Sequence, residues 1–186
     1  MFRRTALLAV VFAAAGIASA AEKPYGIAVG AGLAAPKDVD TNPTYFSIGV
    51  RYRLGDNVAL EPEIGYSRSD TNISYGPAGI GTGYVRDISM GATLMFRPEI
   101  AKGLHLVLGV GGGAHGLRGK VAITGFTIEQ AAVKAAAHGL GGIDVDLGKR
   151  WQLFAYGRYD LVAKWQEMYD LDMSGPRAYG GFRFRY

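Results

Sequence analysis

The chain has 186 residues, with 20 Lys and Arg against 16 Asp and Glu, and no cysteine. That length suits one domain, and the absence of cysteine excludes disulfide staples and thiol chemistry. No strongly basic stretch suggests a nucleic-acid partner.

Residues 1–20, MFRRTALLAVVFAAAGIASA, combine a basic head at Arg3 and Arg4, an apolar run and a small-x-small ending at Ala18-Ser19-Ala20. This is the pattern of a cleaved secretory signal, whose apolar run is too short for the roughly 20 residues of a spanning helix. Residues 21–186 are expected to form one exported domain. Loss of Arg3 and Arg4 leaves 18 bases against 16 acids, a net charge of about +2.

From there the dominant period is two. YGIAVGAGLA (25–34) sets Ile27, Val29, Ala31 and Leu33 against small residues. YFSIGVRYRL (45–54) sets Phe46, Ile48, Val50 and Tyr52 against Ser47, Gly49, Arg51 and Arg53. A GDN turn leads into VALEPEIGYS (58–67), which follows the same rule. DISMGATLMF (87–96), LHLVLGVGGGAH (104–115), HGLGGIDVDL (138–147), WQLFAYGRYDL (151–161) and AYGGFRFRY (178–186) repeat it.

These segments predict an all-β fold, an eight-stranded antiparallel up-and-down transmembrane β-barrel. The connections at 55–57, 98–103 and 148–150 are short, as periplasmic turns are; those at about 35–44, 69–83, 119–136 and 162–177 are longer, as extracellular loops are. TIEQAAVKAAA (127–137) stays open. Thr127 and Gln130 can form a capping box for a short helix, or the sixth strand begins early.

The alternating faces also fit a soluble sandwich or a lipocalin-like barrel. Charge balance favours the membrane. Parity turns Arg51, Arg53, Arg97, Arg158, Arg183 and Arg185 inward together with Glu61, Glu63, Asp87, Asp144, Asp146 and Asp160. Six bases against six acids is what an enclosed lumen needs, because an unpaired buried charge costs several kcal/mol. Inward glycines on the first and fifth strands leave room for arginine side chains. The outward faces carry no mid-strand charge, which would cost about 2–4 kcal/mol at the bilayer midplane. Aromatic residues collect near both strand ends.

The sequence resembles the small bacterial outer-membrane β-barrels, the group of the OmpA transmembrane domain and the OmpX/Ail-type proteins. The resemblance is one of pattern over residues 21–186, and it is most specific in Tyr179-Gly180-Gly181-Phe182-Arg183-Phe184-Arg185-Tyr186. Tyr179, Gly181, Phe184 and Tyr186 are similar to the family's assembly signal. The resemblance implies recognition by the barrel assembly machinery and residence in the outer membrane.

Three functional readings follow. The first is a structural or cell-surface interaction barrel, a monomer among outer-membrane lipid and lipopolysaccharide, with no cofactor and no metal. The second is a narrow porin-like channel for small or hydrophobic solutes. The third is a lipid A-modifying enzyme, for which His105, His115 and His138 point inward without a serine nearby in sequence. Inward histidines in a charged lumen are better read as structural hydrogen-bonders, so no catalytic residue is assigned. Arg68, Arg86 and Arg118 fall on the outward face at the outer strand ends, where lipopolysaccharide phosphates lie and arginine binds well.

Overall fold

The computed structural model describes residues 24–39, 41–74, 80–123, 126–164 and 172–186. The expected signal at 1–20 lies outside them. The strands are β1 (Pro24–Ala34), β2 (Thr44–Arg53), β3 (Val58–Ser74), β4 (Ile80–Phe96), β5 (Glu99–Ala101), β6 (Leu104–Ile123), β7 (Phe126–Asp146), β8 (Trp151–Val162) and β9 (Gly175–Arg185). Their order is β4-β3-β2-β1-β9-β8-β7-β6-β5, and β4 also pairs with β6. The ring therefore closes through eight long antiparallel strands, while the three-residue β5 folds back on the start of β6.

Alternation decides which face is which. Along β8 exposed and covered positions alternate from Trp151 to Val162. The exposed members of the ring are apolar, Ile48 at 59% and Val110 at 66%, whereas Arg51 and Arg183 are fully buried at 0%. This inverts a water-soluble fold and is the arrangement of a barrel in lipid. Glycine makes the interior possible where side chains cross: a Cβ at Gly26 would stand 3.0 Å from Cγ and Cδ of Arg183. Gly103 and Gly148 take φ of 73° and 100° in two of the short turns, a region that favours glycine.

Strand length divides the ring in two. β1, β2, β8 and β9 have 11, 10, 12 and 11 residues, against 17, 17, 20 and 21 for β3, β4, β6 and β7. β3 pairs with β2 only as far as Ser67↔Tyr45, yet continues with β4 to Ser74↔Ile80. β7 pairs with β8 as far as Ala136↔Val162, yet continues with β6 to Ile123↔Phe126. One wall thus stands above the opposite rim as a four-stranded sheet.

One expectation is corrected here, and one open alternative is decided. The described parts of 69–83 and 119–136 are strand rather than loop, and 127–137 is the early start of the sixth long strand rather than a helix. Alanine-rich composition favours a helix locally, but twenty register pairs between β6 and β7, from Leu104↔Val145 to Ile123↔Phe126, override it.

Candidate functional site

The lumen is filled in layers. In the lower half, Arg51 Nε donates to Glu61 Oε2 at 2.6 Å and its Nη1 to Asp144 Oδ2 at 2.7 Å. Arg183 Nη2 donates to Glu61 Oε2 at 2.9 Å, and Nη1 to Gln152 Oε1 at 2.5 Å. Asp144 also accepts from Arg97 Nε at 2.7 Å and from the Tyr156 hydroxyl. Nearer the periplasmic mouth, Arg185 Nη1 donates to Asp146 Oδ2 at 3.0 Å and His105 Nε2 lies 3.7 Å from the same oxygen. Arg53 does not join. It is exposed, with its guanidinium carbon 5.2 Å from the Tyr25 ring centre. Parity aimed it inward, but its place near the end of β2 puts it at the rim.

An aromatic waist separates this layer from the next. Phe154 stacks on Tyr156 with ring centres 4.9 Å apart, and Tyr179 meets Tyr45 edge-on at 5.3 Å. Above it, Arg158 pairs with Glu63 at 2.9 Å and Asp160 at 2.7 Å. Arg177 reaches Asp160 at 2.6 Å and Asp87 at 3.0 Å, and His115 Nδ1 lies 2.9 Å from both Asp87 oxygens. His138 Nε2 shares a hydrogen bond with Thr93 Oγ1 at 2.7 Å. Sequence reading missed Arg177 because Gly175–Arg177 was placed in a loop. Its shared parity with Arg183 and Arg185 was the available signal.

The outer mouth is apolar. Val85, Leu117, Val162 and Met173 form a buried cluster, against which Val39, Ala132 and Ala136 pack. Val39 and Met173 arrive on a strap that continues the β1–β9 pairing past the rim: Ala35 N donates to Pro176 O at 2.8 Å and Lys37 N to Ser174 O at 3.0 Å. Asp172 fastens it, accepting from Ser174 N at 2.9 Å and lying 3.5 Å from Lys37 Nζ. The charged layers, the waist and this cluster lie one above another in the lumen, with Arg51, Arg183, Tyr45 and Leu117 each at most 1% exposed. Ser89, register partner of His115, is buried with His115 and Asp87, so that trio faces neither lipid nor solvent.

On the outside, Arg68, Arg86 and Arg118 are consecutive register partners across β3, β4 and β6. Tyr84 lies beneath two of them, with the Arg68 and Arg86 guanidinium carbons 4.4 and 4.9 Å from its ring centre. Asp70 is 3.7 Å from Arg68, and Glu129 accepts from Arg118 Nε at 2.5 Å. Arg86, in the middle, has a buried Nε without a partner and no carboxylate among the described residues. Arg86 stands ten residues before Phe96 on β4. For a strand rising about 3.3 Å per residue and tilted about 40°, that is about 25 Å of height, the thickness of the apolar band. The row therefore stands about one apolar-band thickness above Phe96.

Of the residues expected to form an assembly signal, Tyr179 points into the waist, Phe184 packs on Trp151 with ring centres 5.2 Å apart, and Tyr186 is exposed. Gly181 pairs with Gly30 of β1 and Phe154 of β8.

A family model described as outer membrane protein beta-barrel domain matches residues 5–174. No curated protein matches the sequence. Among solved structures, Neisserial surface protein A superposes with a TM-score of 0.57 at 15% identity, covering 87% of this chain and 95% of that one. Ail, the attachment invasion locus protein of Yersinia pestis, gives 0.55 at 16% identity, covering 88% and 97%. The same protein in complex with the heparin analogue sucrose octasulfate gives 0.53 at 15% identity, covering 88% and 97%.

Proposed function

The chain belongs to the outer-membrane β-barrel protein family, and on that premise we propose that it is a non-conducting, non-catalytic anchor presenting its tall β3-β4-β6-β7 sheet to partners outside the cell. The carrying observation is the sheet itself. Its β7 edge from Phe126 to Val133 pairs with no strand but β6 among the described residues, and its β3 edge takes a hydrogen bond from Thr41 Oγ1 to Asp70 O at 3.1 Å. Such an edge offers backbone donors and acceptors to an incoming strand. The filled lumen and sealed mouth support the anchor reading over the narrow channel, and the burial of His115 and His138 supports it over a lipid A-modifying enzyme. Export by cleavage near residue 20, assembly through Tyr179, Gly181, Phe184 and Tyr186, and a monomeric state belong to the same proposal.

The sulfated sugar bound by Ail makes heparin the first probe. Cells displaying the protein are expected to adhere to heparin-coated plates, and a variant with both tall hairpins trimmed to the opposite rim is expected to insert normally and lose adhesion. Equal adhesion by the trimmed barrel, or channel activity of the native one in planar bilayers, overturns the proposal.

A second reading rests on the arginine row. Three guanidinium groups side by side repel one another, as like charges on facing strands do, and among the described residues Arg86 has no acid. A lipopolysaccharide phosphate at the height of the row supplies the missing charge through charge-assisted hydrogen bonds. Arg68→Ala, Arg86→Ala and Arg118→Ala together are expected to reduce the lipopolysaccharide co-purifying with the folded barrel. Unchanged recovery removes this reading.

A further inference from the structure

Arginines and acids are unevenly spread along the lumen. Above the aromatic waist, Arg158 and Arg177 pair with three carboxylates, those of Glu63, Asp87 and Asp160. Below it, Arg51, Arg97 and Arg183 share only two, Glu61 and Asp144. Arg53 adds a further cation at the rim, where no carboxylate pairs with it among the described residues. The Arg185–Asp146 pair is balanced and leaves the difference as it stands. The short-turn end of the barrel thus carries an excess of positive charge. We infer that its mouth is a binding site for one carboxylate presented from the periplasm, held by Arg53, Arg97 and the Tyr25 hydroxyl.

Tyr25 is aimed there by an irregularity of its strand. On β1 it shares parity with Ile27 and Val29, which are exposed on the outward face, and even alternation would turn it to lipid as well. The register to β2 slips at this point. Pro24 pairs with Tyr52 and Gly26 with Arg51, so Tyr25 is one residue too many. Such a bulge re-aims a side chain, and bulges gather at barrel rims and beside functional sites. Here the Tyr25 hydroxyl accepts from Arg97 Nη1 at 2.9 Å, and the Arg53 guanidinium carbon lies 5.2 Å from its ring centre. The phenol keeps its own proton, for which the described residues offer no acceptor. Accepting from a cation polarises that O–H and strengthens it as a donor. Arg97 is fixed from behind, with Nε and Nη2 each 2.7 Å from Asp144 Oδ2, and its side chain is 11% exposed. A fixed guanidinium, a solvent-facing one and a hydroxyl donor between them suit the two oxygens of a carboxylate, which take charge-assisted hydrogen bonds. Arg53 and Arg97 keep the inward parity of Arg51 and Met95, whereas lipid headgroups ring the barrel outside. The anion therefore arrives along the barrel axis, from water.

The test uses the full folded barrel in zwitterionic detergent, with ring-labelled tyrosine, titrated with N-acetyl-alanyl-alanine and with its C-terminal amide. The acid is expected to shift the Tyr25 resonances, identified by their loss in Tyr25→Phe, to saturation, and the amide to leave them in place. Arg53→Ala should weaken binding of the acid about tenfold, as loss of a charged hydrogen bond does. Tyr25→Phe, followed at the Arg97 Nε–H resonance, should weaken it by about as much. Lys149 and Arg150 are exposed on the β7–β8 turn, and Lys149→Ala with Arg150→Ala should leave binding unchanged. Retention of the heat-modifiable gel band verifies folding of each variant. Shifts that never saturate, that are equal for acid and amide, or that weaken equally without Lys149 and Arg150 reduce the cluster to diffuse surface charge and overturn the site. Inorganic phosphate that displaces the acid at equal concentration makes it a phosphate site. Phosphatidylglycerol added to the micelles, if it abolishes the shifts, assigns the cluster to lipid headgroups. Either outcome overturns the proposal.

Discussion

Arg183 of β9 donates to Glu61 of β3 across the barrel, 2.9 Å apart in space and 122 positions apart in sequence. Neither side chain has access to solvent or lipid beyond a few per cent. A buried pair of this kind adds less stability than its removal from one side takes away. Arg183→Ala, which strands Glu61 beside Arg51 and leaves Gln152 and Asp144 short of a donor, is expected to cost about 3–5 kcal/mol. The double variant Arg183→Met/Glu61→Met is expected to recover part of that loss. Urea unfolding in detergent micelles, followed by the heat-modifiable band, measures both.

Gly65 faces inward on β3. A Cβ there would collide with the Tyr45 hydroxyl and Ser89 Oγ. Gly65→Ala is expected to destabilise by about 1–3 kcal/mol through overpacking. Gly157→Ala faces outward, where the nearest atom to an added Cβ is 3.9 Å away, and is expected to be neutral. Unfolding midpoints of the pair discriminate the two faces without relying on charge.

The strap should respond to acid. Partial burial pushes the Asp172 carboxyl up, but hydrogen bonds from Ser174 and the charge of Lys37 outweigh it and hold the group below its ordinary range. A carboxyl lowered by folding stabilises the folded form above its unfolded value, near pH 4, and that contribution disappears as pH falls through the folded value. Protection of the Lys37 and Asp38 amides from hydrogen exchange is therefore expected at pH 6 and to diminish below about pH 4. Asp172→Asn should show the reduced protection at pH 6 already. Protection independent of pH in the native protein would mean that backbone pairing alone holds the strap.

Phe184 packs on Trp151 at the periplasmic end, within the proposed assembly signal. Phe184→Ala is expected to lower the yield of folded protein in the outer membrane several-fold in cells, while the purified variant still refolds in detergent. Equal losses in both settings would make Phe184 a packing residue and nothing more.

The parts of this molecule that touch lipid were legible in its sequence, and for a physical reason. Where one face meets hydrocarbon and the other a charged lumen, the alternation of Phe182, Arg183, Phe184 and Arg185 is imposed by the surroundings. Above the membrane both faces of a strand can be wet and that contrast fades. The outer parts of β3, β4, β6 and β7 therefore read as loops, and 127–137 reads equally as a short helix or an early strand start. Ion partners were legible as a set but not as pairs, because Arg51–Asp144 and Arg177–Asp87 join strands that are not neighbours in the ring. The arginine row was legible as three outward residues. That they form one row needed the register.

The lumen's balance has a consequence for closure. β9 brings Arg177, Arg183 and Arg185 and no acid, and their partners Glu61, Asp87, Asp144, Asp146 and Asp160 lie on β3, β4, β7 and β8. An open sheet lacking β9 is a surplus of negative charge facing inward. Docking β9 against β1 and β8 completes the hydrogen-bonded ring and neutralises its interior in the same step, so electrostatic attraction acts as the latch of the barrel's seam.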